Sequence, residues 1–128
     1  MSNEISIQIQ MSCTKGEFNI PPMGTPQSID QTGEGGGCPG YMNIGTSEED
    51  ISLAELTTPG YVYIKNIGAL GTDTAAVVTY GPKSGTMVAF GELREGEEAC
   101  FRLTTDTPTF TIKSSVANTG VQVVILED

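Results

Sequence analysis

Two clusters of carboxylates are the part of this sequence whose residue types could do chemistry. Glu48, Glu49 and Asp50 follow one another directly. Oxygen ligands of this kind bind calcium, and two carboxylates that flank a sugar can hydrolyse a glycosidic bond. The alternating acidic pattern of a calcium-binding loop is missing, however, and acidic runs usually form solvated faces. A small hydrolase built on paired carboxylates is therefore only an alternative hypothesis. The second cluster comprises Glu95, Glu97 and Glu98.

Other familiar catalytic arrangements are missing from the sequence. Histidine, the commonest general base and metal ligand, does not occur. The cysteines Cys13, Cys38 and Cys100 are odd in number and widely spaced, which indicates free thiols rather than a disulfide framework or a paired zinc motif. Residues 81–86, GPKSGT, resemble a phosphate-binding loop in composition, but Lys83 precedes the second glycine. We predict a protein that is not an enzyme and has no cofactor and no metal site.

Charge and length limit the partners that this chain can bind. The 128 residues suit one domain with a core of its own, and 16 acidic against 6 basic residues give a formal net charge of −10. Nucleic acids and anionic membranes require clustered lysine and arginine, so we expect neither as a partner. No signal peptide or apolar run of membrane-spanning length is found in the sequence, which favours synthesis in the cytoplasm.

The N-terminal third predicts one strand followed by a long connection. Residues 4–11 alternate between apolar and polar types, which is typical of a strand with one buried face. Prolines and glycines then predict an irregular Gly/Pro-rich loop over residues 21–40. The strand either pairs with its own sheet or acts as an arm that reaches a neighbouring subunit. The apolar side of that strand, and the predicted partner-binding set, consists of Ile5, Ile7, Ile9 and Met11.

Residues 90–103 are the segment around which we expect the rest of the chain to be organised. They predict a strand end, a tight turn at Gly96 and a second strand whose inner face carries Ala99, Phe101 and Leu103. Short strands with turn signals about every ten residues indicate an all-β, antiparallel, jelly-roll-like β-sandwich. We predict one domain over residues 1–128, with the arm and loop in residues 1–40 and the core sandwich in 41–128. The other expected strands are 41–45, 50–53, 61–66, 75–80, 86–90, 109–113 and 121–126, with a turn at 81–85.

A pattern distributed over the chain consists of the segments ISIQI (5–9), QSIDQ (27–31), IGTSEE (44–49), TTPGYVYIKN (57–66), LREGE (93–97) and LED (126–128). This pattern resembles small virion proteins of tailed bacteriophages, of the capsid decoration, cement or head-fibre type. The resemblance implies a structural subunit, often a homotrimer, that binds the major capsid protein on the capsid surface and stabilises the mature shell. It transfers no catalytic residue. A receptor- or carbohydrate-binding module displayed on the virion is the alternative, with loops 67–74 and 81–86 as candidate contacts.

Overall fold

The computed structural model describes residues 4–29, 40–51, 53, 58–104 and 109–127. Their regular structure is entirely β, and every strand pairing is antiparallel. The chain divides into two compact units, within residues 1–32 and 33–128. Cys38 and half of the predicted Gly/Pro-rich loop, residues 30–39, lie outside the described residues.

The first unit contains two short antiparallel pairs. Its strands are β1 (Ile5–Ile7), β2 (Met11–Lys15), β3 (Phe18–Met23) and β4 (Gln27–Ile29), with β1 paired to β4 and β2 to β3. The prediction of one continuous strand over residues 4–11 is wrong, because residues 8–10 interrupt it. At this break the backbone of Ile9 lies so close to Gly24 that an added Cβ would stand 1.8 Å from the Ile9 carbonyl oxygen.

The predicted irregular connection begins too early. Residues 21–23 belong to β3 and residues 27–29 form β4. Pro21 and Pro22 are tolerated because, among the described residues, β3 pairs only with β2 and its register with β2 shifts beside them. Proline lacks the amide hydrogen that a central strand must donate, whereas an edge strand with a bulge can do without it.

The strands of the second unit are β5 (Gly40–Ile44), β6 (Glu49–Ile51), β7 (Pro59–Ala69), β8 (Val78–Ser84), β9 (Thr86–Met87), β10 (Gly91–Leu93), β11 (Glu98–Arg102), β12 (Phe110–Ser114) and β13 (Thr119–Glu127). They form a four-stranded sheet with the order β11-β7-β13-β5 and a five-stranded sheet whose main path is β10-β8-β12-β6. The short strand β9 pairs with β8 beside the second path. Apolar residues of both sheets form one buried cluster, so the predicted antiparallel β-sandwich is confirmed.

The pairing follows that of a long hairpin rolled up on itself. With β9 set aside, the eight strands of this unit pair from the two ends of the chain segment inward. The pairs are β5 with β13, β6 with β12, β7 with β11 and β8 with β10. Pairing of β7 with β13 and of β8 with β12 completes each sheet. Each sheet therefore combines strands from both halves of this unit.

The core follows from alternation along the two central strands. Val62 and Ile64 of β7 face inward beside their register partners Ile125 and Val123 of β13. The opposite sheet supplies buried aliphatic residues together with the rings of Tyr80 and Phe110, which pack against Phe101. Each side chain of this kind stabilises the fold by about 1.5–3 kcal/mol when it is fully buried. The two sheets are therefore held together by a continuous apolar layer.

The segment 90–103 connects the two sheets and does not form a hairpin. β10 pairs with β8 in one sheet, whereas β11 pairs with β7 in the other. Gly96 has a φ of +85°, as predicted for the turn, but the turn carries the chain across the sandwich. The predicted inner face is confirmed, since Leu103 is buried and Ala99 and Phe101 pack against the core.

The turn expected at residues 81–85 is also misplaced. β8 runs through Pro82 to residue 84, and the chain turns only at Gly85, whose φ is +79°. The expected strand 86–90 shortens to the two residues of β9. After it, the amides of Val88 and Phe90 donate to the carbonyls of Pro82 and Tyr80. The side chains of Val88 and Phe90 are left exposed.

Candidate functional site

The carboxylates of the first acidic cluster serve as local structural acceptors. Glu49 accepts the Gly45 amide at 3.0 Å, Glu48 accepts the Met87 amide at 3.1 Å, and Asp50 pairs with the Lys83 ammonium at 3.3 Å. They therefore serve three separate contacts. Within the described ranges, no three side chains of histidine, cysteine, aspartate or glutamate come together as metal ligands would.

The β2–β3 pair presents an exposed apolar face. Met11 and Cys13 alternate along β2 and so share one face, opposite their cross-strand partners Met23 and Ile20. Phe18 lies at the end of the same face, as the partner of Lys15. Met11 and Phe18 are 60% and 61% exposed. We call Met11, Cys13, Phe18, Ile20 and Met23 the hairpin face.

The predicted partner-binding residues do not share one surface. Ile5 is already buried in β1 opposite Ile29, and Ile7 is partly buried in the same strand. Ile9 is exposed in the break between β1 and β2, and Met11 belongs to the hairpin face. Phe18 and Met23 were not predicted as partner-binding residues, because the loop expected from residue 21 onward left no strand to pair with β2.

A second surface lies on the outer side of the β11-β7-β13-β5 sheet. Tyr61 and Tyr63 alternate outward along β7, and Tyr41 of β5 faces the same side because its partner Gln122 is also the partner of Lys65. Three of the four tyrosines of the chain therefore share this side, while Tyr80 lies in the core. We call Tyr41, Tyr61, Tyr63, Lys65 and Gln122 the tyrosine face.

Two contacts hold the rings of the tyrosine face in place. The hydroxyl of Tyr63 donates a hydrogen bond to the Glu98 carboxylate, and the guanidinium of Arg102 lies 5.1 Å from the centre of the Tyr61 ring. The bond to Glu98, followed by desolvation, raises the pKa of Tyr63. Burial similarly raises the pKa of the Cys100 thiol beside it.

Removing the Glu98 carboxylate should lower the pKa of Tyr63. Because the folded state raises the pKa above the ordinary 10.0 of tyrosine, the bond's contribution to stability is complete below pH 10.0 and is lost as the pH rises through the pKa of the folded protein. We expect Glu98→Gln to shift one tyrosine transition to lower pH in an ultraviolet titration. Glu92→Gln, on the other sheet, is the matched control, and an equal shift in both variants would contradict the assignment.

A buried asparagine bridges the two sheets, and the sequence offered no sign of it. Asn66 of β7 is fully buried, and its side-chain amide donates to the carbonyls of Ala76 and Leu93, at 2.9 and 3.0 Å, on the opposite side of the sandwich. Its side-chain oxygen accepts the Gly68 amide at 2.9 Å. In the sequence, Asn66 is recognisable only as the last, polar residue of the expected strand 61–66. A buried polar group with every bond satisfied fixes how the sheets are placed.

Comparison with models of protein families, with curated proteins and with solved structures finds no match for this chain. In the part of the chain that the structure describes, no helix is long and apolar enough to cross a membrane.

Proposed function

We propose that this protein is a non-enzymatic structural component of a bacteriophage virion that decorates the capsid surface. It binds the major capsid protein and stabilises the mature shell, a role that suits a sandwich joined to a small unit with an exposed apolar face. The hairpin face is the single observation that carries the proposal. The resemblance of the sequence to small capsid decoration proteins supports the same proposal.

The hairpin face supports a docking role because a two-stranded sheet is marginal in water. Two strands need further strands or a covering surface before they are independently stable. The two methionines paired at one end of this face, Met11 and Met23, are flexible side chains that adapt to an irregular partner surface. An apolar face of this kind is covered when the subunit meets its partner, and burial of its side chains drives association.

A subunit that binds the assembled shell but not its dissociated parts stabilises the shell by mass action. The acidic surface of the chain keeps the free subunit soluble before it docks. We propose a homotrimer as the docking form, since a symmetric subunit can contact several capsid proteins at once. Native mass spectrometry tests this part separately: a monomer at working concentration would exclude the trimer without excluding docking.

The test of the proposed function is binding to capsids that lack this protein. We expect saturable co-sedimentation of the wild-type chain, with Phe18→Ser about 10- to 30-fold weaker, because about 1.5–2 kcal/mol of apolar burial is lost. Phe90→Ser is the matched control, since Phe90 is 84% exposed and lies outside the hairpin face. Equal loss in both variants, or no binding by the wild type, would refute the proposal.

Cys13 provides a second measurement of the same contact. Its thiol is exposed on the hairpin face, whereas Cys100 is half-buried on the sandwich. If docking covers the hairpin face, alkylation at Cys13, located by mass spectrometry of the peptides, should slow on addition of capsids, while alkylation at Cys100 should keep its rate. Unchanged alkylation of Cys13 at saturating capsid would show that another surface docks.

A further inference from the structure

We propose that the tyrosine face is a glycan-binding surface whose ligand is a neutral oligosaccharide. This inference concerns a different unit and different residues from the hairpin face, and it does not depend on capsid docking. The ligand would lie across the sheet along the row formed by Lys65, Gln122 and Tyr41, beside the ring of Tyr63.

The fold concentrates aromatic rings that are scarce in the sequence. The chain has no tryptophan and only four tyrosines, which by count leaves few platforms for a sugar ring. Alternation along β7 and the register with β13 and β5 bring three of the four to one side of one sheet. An aromatic face attracts the polarised C–H groups of a sugar, and a tyrosine adds a hydroxyl at its edge.

The ring of Tyr63 is held in place before any ligand arrives. Its hydroxyl is bonded to the Glu98 carboxylate, which lies on the neighbouring strand β11. Glu98 stands directly opposite Lys65 in the register, yet no ion pair joins the two among the described residues. A ring fixed in this way loses little conformational freedom on binding. The ammonium of Lys65 can then donate hydrogen bonds to a ligand.

Hydrogen-bonding groups flank the rings at a useful spacing. Lys65, Gln122 and Tyr41 stand opposite one another on three neighbouring strands, so the row is about 10 Å long at the usual strand separation of about 4.8 Å. Gln122 is exposed, and Tyr41 is 55% exposed. An amide both donates and accepts, an ammonium donates and a phenol does both, which matches the hydroxyls of a sugar.

Charge and composition favour a neutral glycan over other occupants. The centre of a protein interface is depleted of charge, whereas this face places Lys65 and Gln122 among its rings. A polyanion would be repelled by a chain with a formal net charge of −10. The outer side of the opposite sheet carries Glu92, Thr79 and Lys113 in one row and has no comparable cluster of tyrosines among its described residues.

Isothermal titration with cellohexaose, maltohexaose and mannohexaose, and with polygalacturonate as the anionic comparison, tests the inference on the full chain. We expect binding to at least one neutral probe, at least tenfold weaker in Tyr41→Ala and in Gln122→Ala. Both side chains are exposed, so thermal unfolding should stay near that of the wild type. Lys113→Ala, on the outer side of the opposite sheet, is the control and should bind as the wild type does.

Three outcomes would overturn the inference: no heat with any neutral probe, binding of polygalacturonate alone, or equal weakening in Lys113→Ala. Because Tyr41 and Gln122 lie outside the hairpin face, the same variants should sediment with capsids as the wild type does. Failure of glycan binding with capsid binding intact would refute this inference alone, and the reverse result would refute only the proposed function.

Discussion

Replacing Asn66 with aspartate should lower the free energy of unfolding by about 3–5 kcal/mol, the usual cost of an uncompensated buried charge. The substitution turns the donating amide into an oxygen that faces the carbonyls of Ala76 and Leu93. Both carbonyls lose their donor, and the new carboxylate has no water around it because residue 66 is fully buried. Urea unfolding followed by tyrosine fluorescence measures the change.

The loss should be smaller at low pH. Burial and the two facing carbonyls raise the pKa of the new carboxyl group above its value in the unfolded chain, so the variant is stabilised as the pH falls through that raised value. Once protonated, the carboxyl group can again donate one hydrogen bond. Gln122→Glu is the matched control because it makes the same amide-to-acid change at an exposed site of the paired strand β13. Equal destabilisation of both variants would contradict the role assigned to Asn66.

Gly24→Ala should abolish the ordered structure of the first unit while the sandwich keeps its core. Gly24 has a φ of +133°, which L-residues rarely adopt, and the added Cβ would lie 1.8 Å from the carbonyl oxygen of Ile9. That oxygen is backbone and cannot turn aside, so the strands on both sides of the break must separate. Because the strain destabilises the first unit by at least about 2 kcal/mol, the amide hydrogens of β2 and β3 should exchange with solvent about 30-fold faster or more.

Gly16→Ala is the control that separates the steric clash at residue 24 from the conformational cost of placing a side chain at a positive φ. Gly16 also has a left-handed φ, +60°, in the turn between β2 and β3, but nothing lies within 4 Å of an added Cβ. We expect a smaller effect on exchange in this variant. If the proposed function is right, Gly24→Ala should also weaken capsid binding more than Gly16→Ala does. Equal exchange rates in the two variants would mean that the contact of Gly24 with Ile9 does not hold the first unit together.

Local pattern was sufficient to identify the fold class. Along β7 buried residues alternate with more exposed ones at a period of two, which is the period that the pleat of a strand imposes on its side chains. The inner positions of Ala99, Phe101 and Leu103 follow from the same rule. Turn residues such as Gly96 marked where the chain must reverse. Alternation and turn chemistry act over a few residues, so they can be read directly from the sequence.

Long-range pairing could not be read in this way. Nothing local in residues 90–103 says that the strands before and after Gly96 join different sheets, since the choice depends on β7 and β8 elsewhere in the chain. Likewise, Pro21 and Pro22 suggest a loop, and only the one-sided pairing with β2 makes a strand possible. These predictions were wrong because a local signal was overruled by partners distant in sequence.

The same division holds for the candidate surfaces. The sequence by itself determined an acidic β-sandwich chain with no histidine, and it left the N-terminal strand either to pair with its own sheet or to act as an arm. Only the tertiary structure brought Phe18 and Met23 to one face with Met11, gathered three tyrosines on one side of a sheet, and placed Asn66 between the sheets. Composition and alternation belong to the residues themselves, whereas a surface or a buried bridge depends on strand register, which forms only when the chain folds.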